Sequence, residues 1–191
     1  MTAFDPKQAT LQYTAETPLL FASCSDAATG RYYGAGIDAA VYALDTRADK
    51  PAAQKRWKHH DNYISGLAWL SGTVLSSGYD RRIVWTHAES GKLLRCQDKH
   101  HAILDHLQFL PEQNLMIGGG GGDAGPFLGF WNVEAQPADG VVAPIHKAKP
   151  KSHIHHFVFD PAGPRLLAVG HGGFQLWDFS GKEAAQEDKK E

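Results

Sequence analysis

The chain has 191 residues, of which 42% are hydrophobic and 21% are charged; these values are typical of soluble globular proteins and fit neither a disordered nor a fibrous class. Its formal net charge of −2 argues against nucleic-acid binding by bulk electrostatics, which needs a basic surface to neutralise phosphates. The sequence shows no stretch of ~20 apolar residues, no secretory signal pattern and, with two cysteines, no disulfide framework. We therefore expect a cytoplasmic protein with no nucleic-acid or membrane partner.

Four similar blocks, each ending in an apolar strand, recur along the chain. They cover residues 36–45, 78–87, 126–133 and 171–179. Equivalent positions near their ends lie 42, 45 and 46 residues apart when the aligned residues are Leu44, Thr86, Trp131 and Trp177. One propeller blade takes ~40–45 residues, so the spacing predicts a stack of blade-sized repeats.

Predicted β-hairpins precede the later blocks. Apolar residues alternate with polar ones, and a turn separates two strands, in residues 64–78, 104–119 and 154–170. More polar stretches, expected to be solvated outer strands, cover residues 52–60, 92–100 and 141–150. The glycine run 118–122 is expected to be a flexible loop between two strands. Helical periodicity is absent, so the sequence predicts an all-β fold.

The sequence allows two ways in which the ring of blades could be completed. Residues 1–180 are expected to form one domain, and the charged residues 181–191 a disordered tail. The last unit lacks an outer strand, which residues 9–15 could supply by pairing with it and closing the ring. Alternatively, four blades could join an identical set to give an eight-bladed homodimer.

Trp177 followed by Asp178 ends the fourth block, and Trp131 followed by Asn132 ends the third. Because of these two residue pairs, residues 19–180 resemble the WD-repeat family. The resemblance implies a β-propeller of about four four-stranded blades. It also implies a structural hydrogen-bond chain of loop and strand side chains within the blades. The residues expected to take part are His60, Ser76, Asp80, His100, Trp131, Trp177 and Asp178.

Eleven histidines raise the question of metal binding. The candidates near the channel of a narrow ring are Asp105, His106, His155 and His156, whose imidazole and carboxylate groups suit a divalent ion. Their spacing matches no zinc signature, so packing between blades and local hydrogen bonds are the favoured interpretation. No nucleophile elbow and no other catalytic arrangement is visible, and we expect neither a catalytic site nor a cofactor.

The resemblance predicts a non-catalytic scaffold that binds protein partners through the face of the propeller that carries the loops. Candidate residues on that face are Trp57, Tyr63, Tyr79, Asp38, Asp123 and His171. Two alternatives remain open at this point. One is a metal-binding or small-ligand-binding propeller with a channel lined by His and Asp, and the other is a blade set that assembles with itself.

Overall fold

The fold was obtained as a computed structural model that describes residues 10, 11, 13–98, 100, 102–123, 125–133, 144, 146–160 and 162–181. Apart from one 3₁₀ turn at Pro111–Gln113, the regular elements of this part of the chain are all strands. The strands are β1 Leu20–Asp26, β2 Arg31–Gly36, β3 Val41–Asp45, β4 Gln54–Trp57, β5 Ile64–Leu70, β6 Thr73–Gly78, β7 Ile83–His87, β8 Leu93–Gln97, β9 Ile103–Leu110, β10 Leu115–Gly122, β11 Gly125–Asn132, β12 His146–Ala148, β13 Ile154–Asp160, β14 Arg165–Gly170 and β15 Gly173–Asp178.

The strands form four antiparallel sheets in which each strand pairs with its neighbour in the chain. Blade 1 is β1–β4, blade 2 is β5–β8, blade 3 is β9–β12, and blade 4 is the three-stranded sheet β13–β15. The innermost strands β1, β5, β9 and β13 line a common cavity, so the blades are arranged around one axis. The predicted all-β propeller of about four blades is confirmed.

Hydrophobic clusters between neighbouring blades hold the propeller together. Among the described residues, they include Trp57, Leu67 and Val74 between blades 1 and 2, Leu75, Leu104 and Trp131 between blades 2 and 3, and Ile117, Phe157 and Leu166 between blades 3 and 4. A lone blade would expose both of its apolar faces to water. Stacking buries them, which explains why the hydrophobic pattern repeats with the length of a blade.

The expected loop at residues 118–122 is wrong, because these glycines are part of β10; the first four pair with both β9 and β11, and Gly122 pairs with β11. Close packing within blade 3 and against blade 4 is the physical reason. A Cβ atom on Gly118 would lie 2.9 Å from both Leu104 Cδ1 and Trp131 Cζ3, and one on Gly119 would lie 3.0 Å from Ile154 Cγ2. The missing side chains therefore let the strand fit between its neighbours.

The face of blade 4 that points away from blade 3 is open and apolar. Val158, Leu167 and Leu176 are cross-strand neighbours in this sheet, and they are 58%, 43% and 68% exposed. In blade 2, by contrast, the adjacent residues Val74 and Leu75 on β6 are both fully buried, although their side chains point to opposite faces of the sheet. Blade 4 thus covers only one of its faces.

The predicted closing strand at residues 9–15 is not formed where the structure describes this segment. Residues 10, 11 and 13–15 carry no strand, and the amide of Ala53 in blade 1 donates a hydrogen bond to Tyr13 Oη at 3.0 Å. Tyr13 also lines a cavity with Leu20 and Tyr32. The segment therefore follows apolar surface on blade 1 instead of the edge of blade 4.

Residues 182–191 of the predicted tail lie outside the described residues, as do residues 141–143 and 145 of the predicted outer strand of blade 3. The remaining part of that outer strand is β12. Within the described ranges, no helix has the length and apolar character needed to cross a membrane.

Candidate functional site at the mouth of the central channel

The innermost strand of every blade carries a β-bulge at the same point. The register shifts in β1, β5, β9 and β13, and each shift leaves one extra residue in the inner strand. A bulge turns the side chain of the extra residue away from the ladder. The four extra residues, in blade order, are Phe21, Ser65, Asp105 and His155. All four line one cavity of about 350 Å³ at the axis, which we call the channel mouth.

Blades 1 and 2 contribute aromatic rings to the channel mouth. The ring centroid of Tyr63 lies 6.2 Å from that of Phe21 and 5.8 Å from that of Tyr79. The three residues are 50% (Phe21), 41% (Tyr63) and 44% (Tyr79) exposed, so the patch meets solvent. Partial burial, and to a smaller extent the Asp105 carboxylate, raises the pKa of the Tyr79 hydroxyl, which therefore stays protonated and can donate a hydrogen bond.

Blades 3 and 4 contribute a carboxylate and imidazoles. A carboxylate only accepts hydrogen bonds, so His153 Nε2 and His155 Nδ1 donate to Asp105 Oδ2, at 2.6 and 3.3 Å. His171 completes the group, with its ring centroid 5.3 Å from that of His153 and 4.7 Å from that of His155. These four residues form the Asp–His cluster, which gives this half of the mouth its polar character.

A second cavity of about 240 Å³ adjoins the mouth and is lined by the four bulge residues and by the residues that follow them in the inner strands. Here the rings of His106 and His156 are in contact, with centroids 3.9 Å apart and planes tilted by 59°. Burial, together with the nearby His156, lowers the pKa of His106 to about 4. His106 is therefore neutral at physiological pH and packs as an uncharged ring.

The channel mouth brings several predicted residues together and leaves others apart. Asp105, His155, Tyr63 and Tyr79 line it, and His171 packs on its imidazoles. His106 and His156 line the second cavity together with Asp105 and His155, but of these four only Asp105 and His155 also line the channel mouth. Phe21, Ser65 and His153 were missed. The positions of Phe21 and Ser65 become visible only when the four inner strands are aligned on their bulges.

Trp57, which the sequence places on the partner-binding face, is buried, and its role in partner binding stays a prediction. Its side chain is 8% exposed and belongs to the cluster between blades 1 and 2, with its ring centroid 6.1 Å from that of Tyr33. The polar sequence around Trp57 suggests a solvated strand, and the first three residues of β4 are indeed exposed. The register of β4 against β3 then shifts just before Trp57, which is the one buried residue of this strand.

Asp38 and Asp123 lie in the turns that follow the second strands of blades 1 and 3, and both are engaged within the protein. Asp38 accepts hydrogen bonds from Tyr42 Oη at 2.8 Å and from Lys55 Nζ at 2.9 Å. Asp123 is 83% exposed and forms an ion pair with Arg81 of blade 2. A role for either residue in partner binding stays a prediction.

His60, Ser76 and Asp80 form the expected hydrogen-bond chain in blade 2. His60 Nδ1 donates to Asp80 Oδ1 at 2.9 Å. With its proton on Nδ1, the ring accepts at Nε2 from the Ser76 hydroxyl at 2.8 Å. Burial opposes the ionisation of Asp80, but hydrogen bonds from His60 and from backbone amides outweigh it, so the pKa of the Asp80 carboxyl is lowered.

Blade 2 departs from the resemblance at the position where a tryptophan is expected. Thr86 stands there, fully buried, and no described residue forms a hydrogen bond with its Oγ1. The chain in this blade therefore ends at Ser76. The neighbouring Trp85 is buried too and packs in the cluster between blades 2 and 3.

Among the described residues, the other predicted members make different contacts in blades 3 and 4, and their part in such a chain stays a prediction. His100 Nδ1 lies 2.9 Å from Ala102 O, and its ring packs 5.4 Å from that of Trp131, while Asp123 turns to blade 2. Trp177 packs against the cluster between blades 3 and 4. Asp178 pairs with Arg165 across the strands and accepts from the amide of Ser180.

No protein-family model matches the sequence. The structure is similar to a chain in the crystal structure of the mitotic checkpoint complex, with a TM-score of 0.69 and 14% identity over 86% of this chain and 50% of that chain. It is also similar to the WD40 β-propeller domain of Doa1, with a TM-score of 0.66 and 13% identity over 84% of this chain and 50% of that one. The fold resembles that of a WD40 β-propeller. The chain spans about half the length of each of these structures.

Proposed function

We propose that the protein is a non-catalytic scaffold that binds a protein partner through the channel mouth. The observation that carries this proposal is the exposed patch of Phe21, Tyr63 and Tyr79. Partly exposed aromatic rings held at fixed positions are the side chains that most often dominate the binding energy of protein interfaces. One of the similar chains was solved within a complex, the mitotic checkpoint complex, which agrees with a role in assembly.

The state of the cysteines supports both the non-catalytic role and a location in the cytoplasm. Neither Cys24 nor Cys96 forms a disulfide. Burial raises the pKa of Cys24 to about 12, and burial together with Asp98 raises that of Cys96 to about 11. Both thiols therefore stay protonated and are poor nucleophiles, as expected of structural cysteines in a reducing compartment.

The test is affinity capture from a native lysate with three forms of the protein. The wild type is compared with the double variant Phe21→Ser/Tyr63→Ser and with the control variant Leu94→Ser. Leu94 is 52% exposed on the outer strand β8, so the control removes a similar apolar side chain away from the mouth. We expect the wild type and the control to retain a partner that the double variant loses, with all three equally folded by circular dichroism. Retention of the same proteins by all three forms would refute the proposal.

A second candidate function, assembly of two copies into an eight-bladed propeller, is favoured by the open face of blade 4. Val158, Leu167 and Leu176 form an apolar stripe on the side that inner blades use to contact the next blade. Blade 1 presents the opposite side, where Tyr32 is 52% exposed although the segment that carries Tyr13 lies beside it. Within the propeller, this side of one blade packs against the opposite side of the next blade. In a two-fold pair, blade 4 of each copy would therefore pack against blade 1 of the other copy, which would cover the open faces of both copies.

Light scattering after gel filtration tests this assembly. We expect a mass of twice 20.9 kDa for the wild type and for the control Leu94→Glu, and 20.9 kDa for Leu176→Glu, which places a charge in the proposed contact. A wild-type mass of 20.9 kDa at micromolar concentration would refute the assembly and leave the scaffold proposal intact.

A further inference from the structure

The carboxylate of Asp105 is only half satisfied. Its Oδ2 atom accepts from two imidazoles, whereas its Oδ1 atom is buried and has no hydrogen-bond partner among the described residues. The side chain is 13% exposed. A buried carboxylate oxygen without a partner is costly, so the arrangement favours a ligand that supplies positive charge at this point.

The surroundings of Asp105 offer imidazoles in place of a permanent cation. No lysine or arginine of the described chain lines either cavity at the axis. The ligand atoms of Asp105, His153 and His155 all lie within 4.8 Å of one another. Two neutral imidazoles and one carboxylate are a donor set that suits zinc and other first-row divalent ions and is poorly matched to Mg²⁺ or Ca²⁺.

We propose that Asp105, His153 and His155 bind one divalent transition-metal ion at the channel mouth, where the ring of His171 packs beside the two imidazoles. In the metal-free protein, hydrogen bonds between Asp105 and the two histidines hold the three side chains together. When the ion binds, each of these imidazole protons moves to the other ring nitrogen or to water, and the freed lone pairs and the carboxylate coordinate the ion.

The local backbone keeps these ligands in place before the ion arrives. Asp105 and His155 occupy the bulges of β9 and β13, and β-bulges re-aim side chains in a defined direction. The backbone of His153 is tied to that of His171, whose amide donates to its carbonyl at 3.1 Å. Opposite His153, a Cβ atom on Gly121 would lie 3.1 Å from the imidazole Cε1 atom, so the glycine leaves room for the ring.

The test is a calorimetric titration of ZnCl₂ into protein that was purified without a histidine tag and stripped with a chelator. We expect one Zn²⁺ per chain, with no competition from excess Mg²⁺. Loss of a ligand in Asp105→Asn or in His155→Gln should weaken binding at least about 100-fold, since loss of an outer-shell partner alone costs 10–100-fold. His155 is 52% exposed on its side chain, so His155→Gln should fold normally if Asp105→Asn does not.

His156→Gln is the matched control, because His156 neighbours His155 in the chain and packs on His106 instead of joining the cluster. It should bind Zn²⁺ as the wild type does. Co²⁺ gives a second readout, since absorption bands of a coordinated ion should appear in the wild type and the control and be absent from His155→Gln. The proposal is overturned if the wild type does not bind Zn²⁺, if His155→Gln binds as tightly as the wild type, or if His156→Gln weakens binding equally. The titration contains no partner protein, so its outcome is independent of the proposed scaffold function.

Discussion

Replacing Asp80 with alanine should destabilise the protein by about 3 kcal/mol. The substitution leaves His60 Nδ1 without its acceptor in a side chain that is only 1% exposed, and an unsatisfied buried donor costs about 1–3 kcal/mol. Asp80 also accepts from the amides of Asp61 at 2.9 Å and Arg82 at 3.1 Å. These two bonds to a charged group add about 1 kcal/mol together, because water can replace part of them in this partly exposed turn.

Urea denaturation monitored by tryptophan fluorescence measures this loss. With a slope of about 2 kcal/mol per molar urea, the midpoint of unfolding should fall by about 1.5 M. Asp123→Ala is the matched control, since Asp123 lies in the corresponding turn of blade 3 but is 83% exposed and pairs with Arg81 at the surface. Its loss should cost less than about 1 kcal/mol. Equal losses in the two variants, or a loss below about 1 kcal/mol in Asp80→Ala, would show that the buried chain does not stabilise blade 2.

Three further predictions concern the same blade. Thr86→Val should raise the free energy of unfolding by about 1 kcal/mol in urea denaturation, because it removes a buried hydroxyl that has no partner among the described residues; a destabilised variant would contradict this. Gly78→Ala should lower the thermal midpoint and cost about 1–3 kcal/mol, because its Cβ would lie 2.7 Å from Tyr63 O and 2.9 Å from His60 Nδ1; an unchanged midpoint would count against that contact. Because the folded-state pKa of Asp80 is lowered, its ionisation stabilises the protein above pH about 4, and this contribution is lost as the pH falls through the folded-state pKa. Unfolding followed from pH 6 to pH 3 should therefore show a steeper loss of stability in the wild type than in Asp80→Asn, and parallel curves would refute this assignment.

The repeat was predictable because a blade has two apolar faces to bury, so apolar residues recur along the sequence with the length of a blade. The hairpins at 64–78, 104–119 and 154–170 appear as paired strands with bounds within a few residues. The chain of His60, Ser76 and Asp80 could also be predicted, since its members sit at fixed positions within one blade. Local order, repeat length and contacts inside a blade are thus properties of the sequence itself.

Packing between blades could not be predicted in the same way, because it joins residues that are far apart in the chain. The glycines at 118–122 suggest a loop until the side chains of two adjacent blades are seen to fill the space around them. Likewise, His153 meets Asp105 across 48 residues, and the bulges that aim Asp105 and His155 at the axis leave no periodic signal. The sequence by itself determined the blades and the polar chain inside blade 2. Only the tertiary structure decided which side chains meet at the channel mouth, because that meeting depends on how the blades are arranged around the axis.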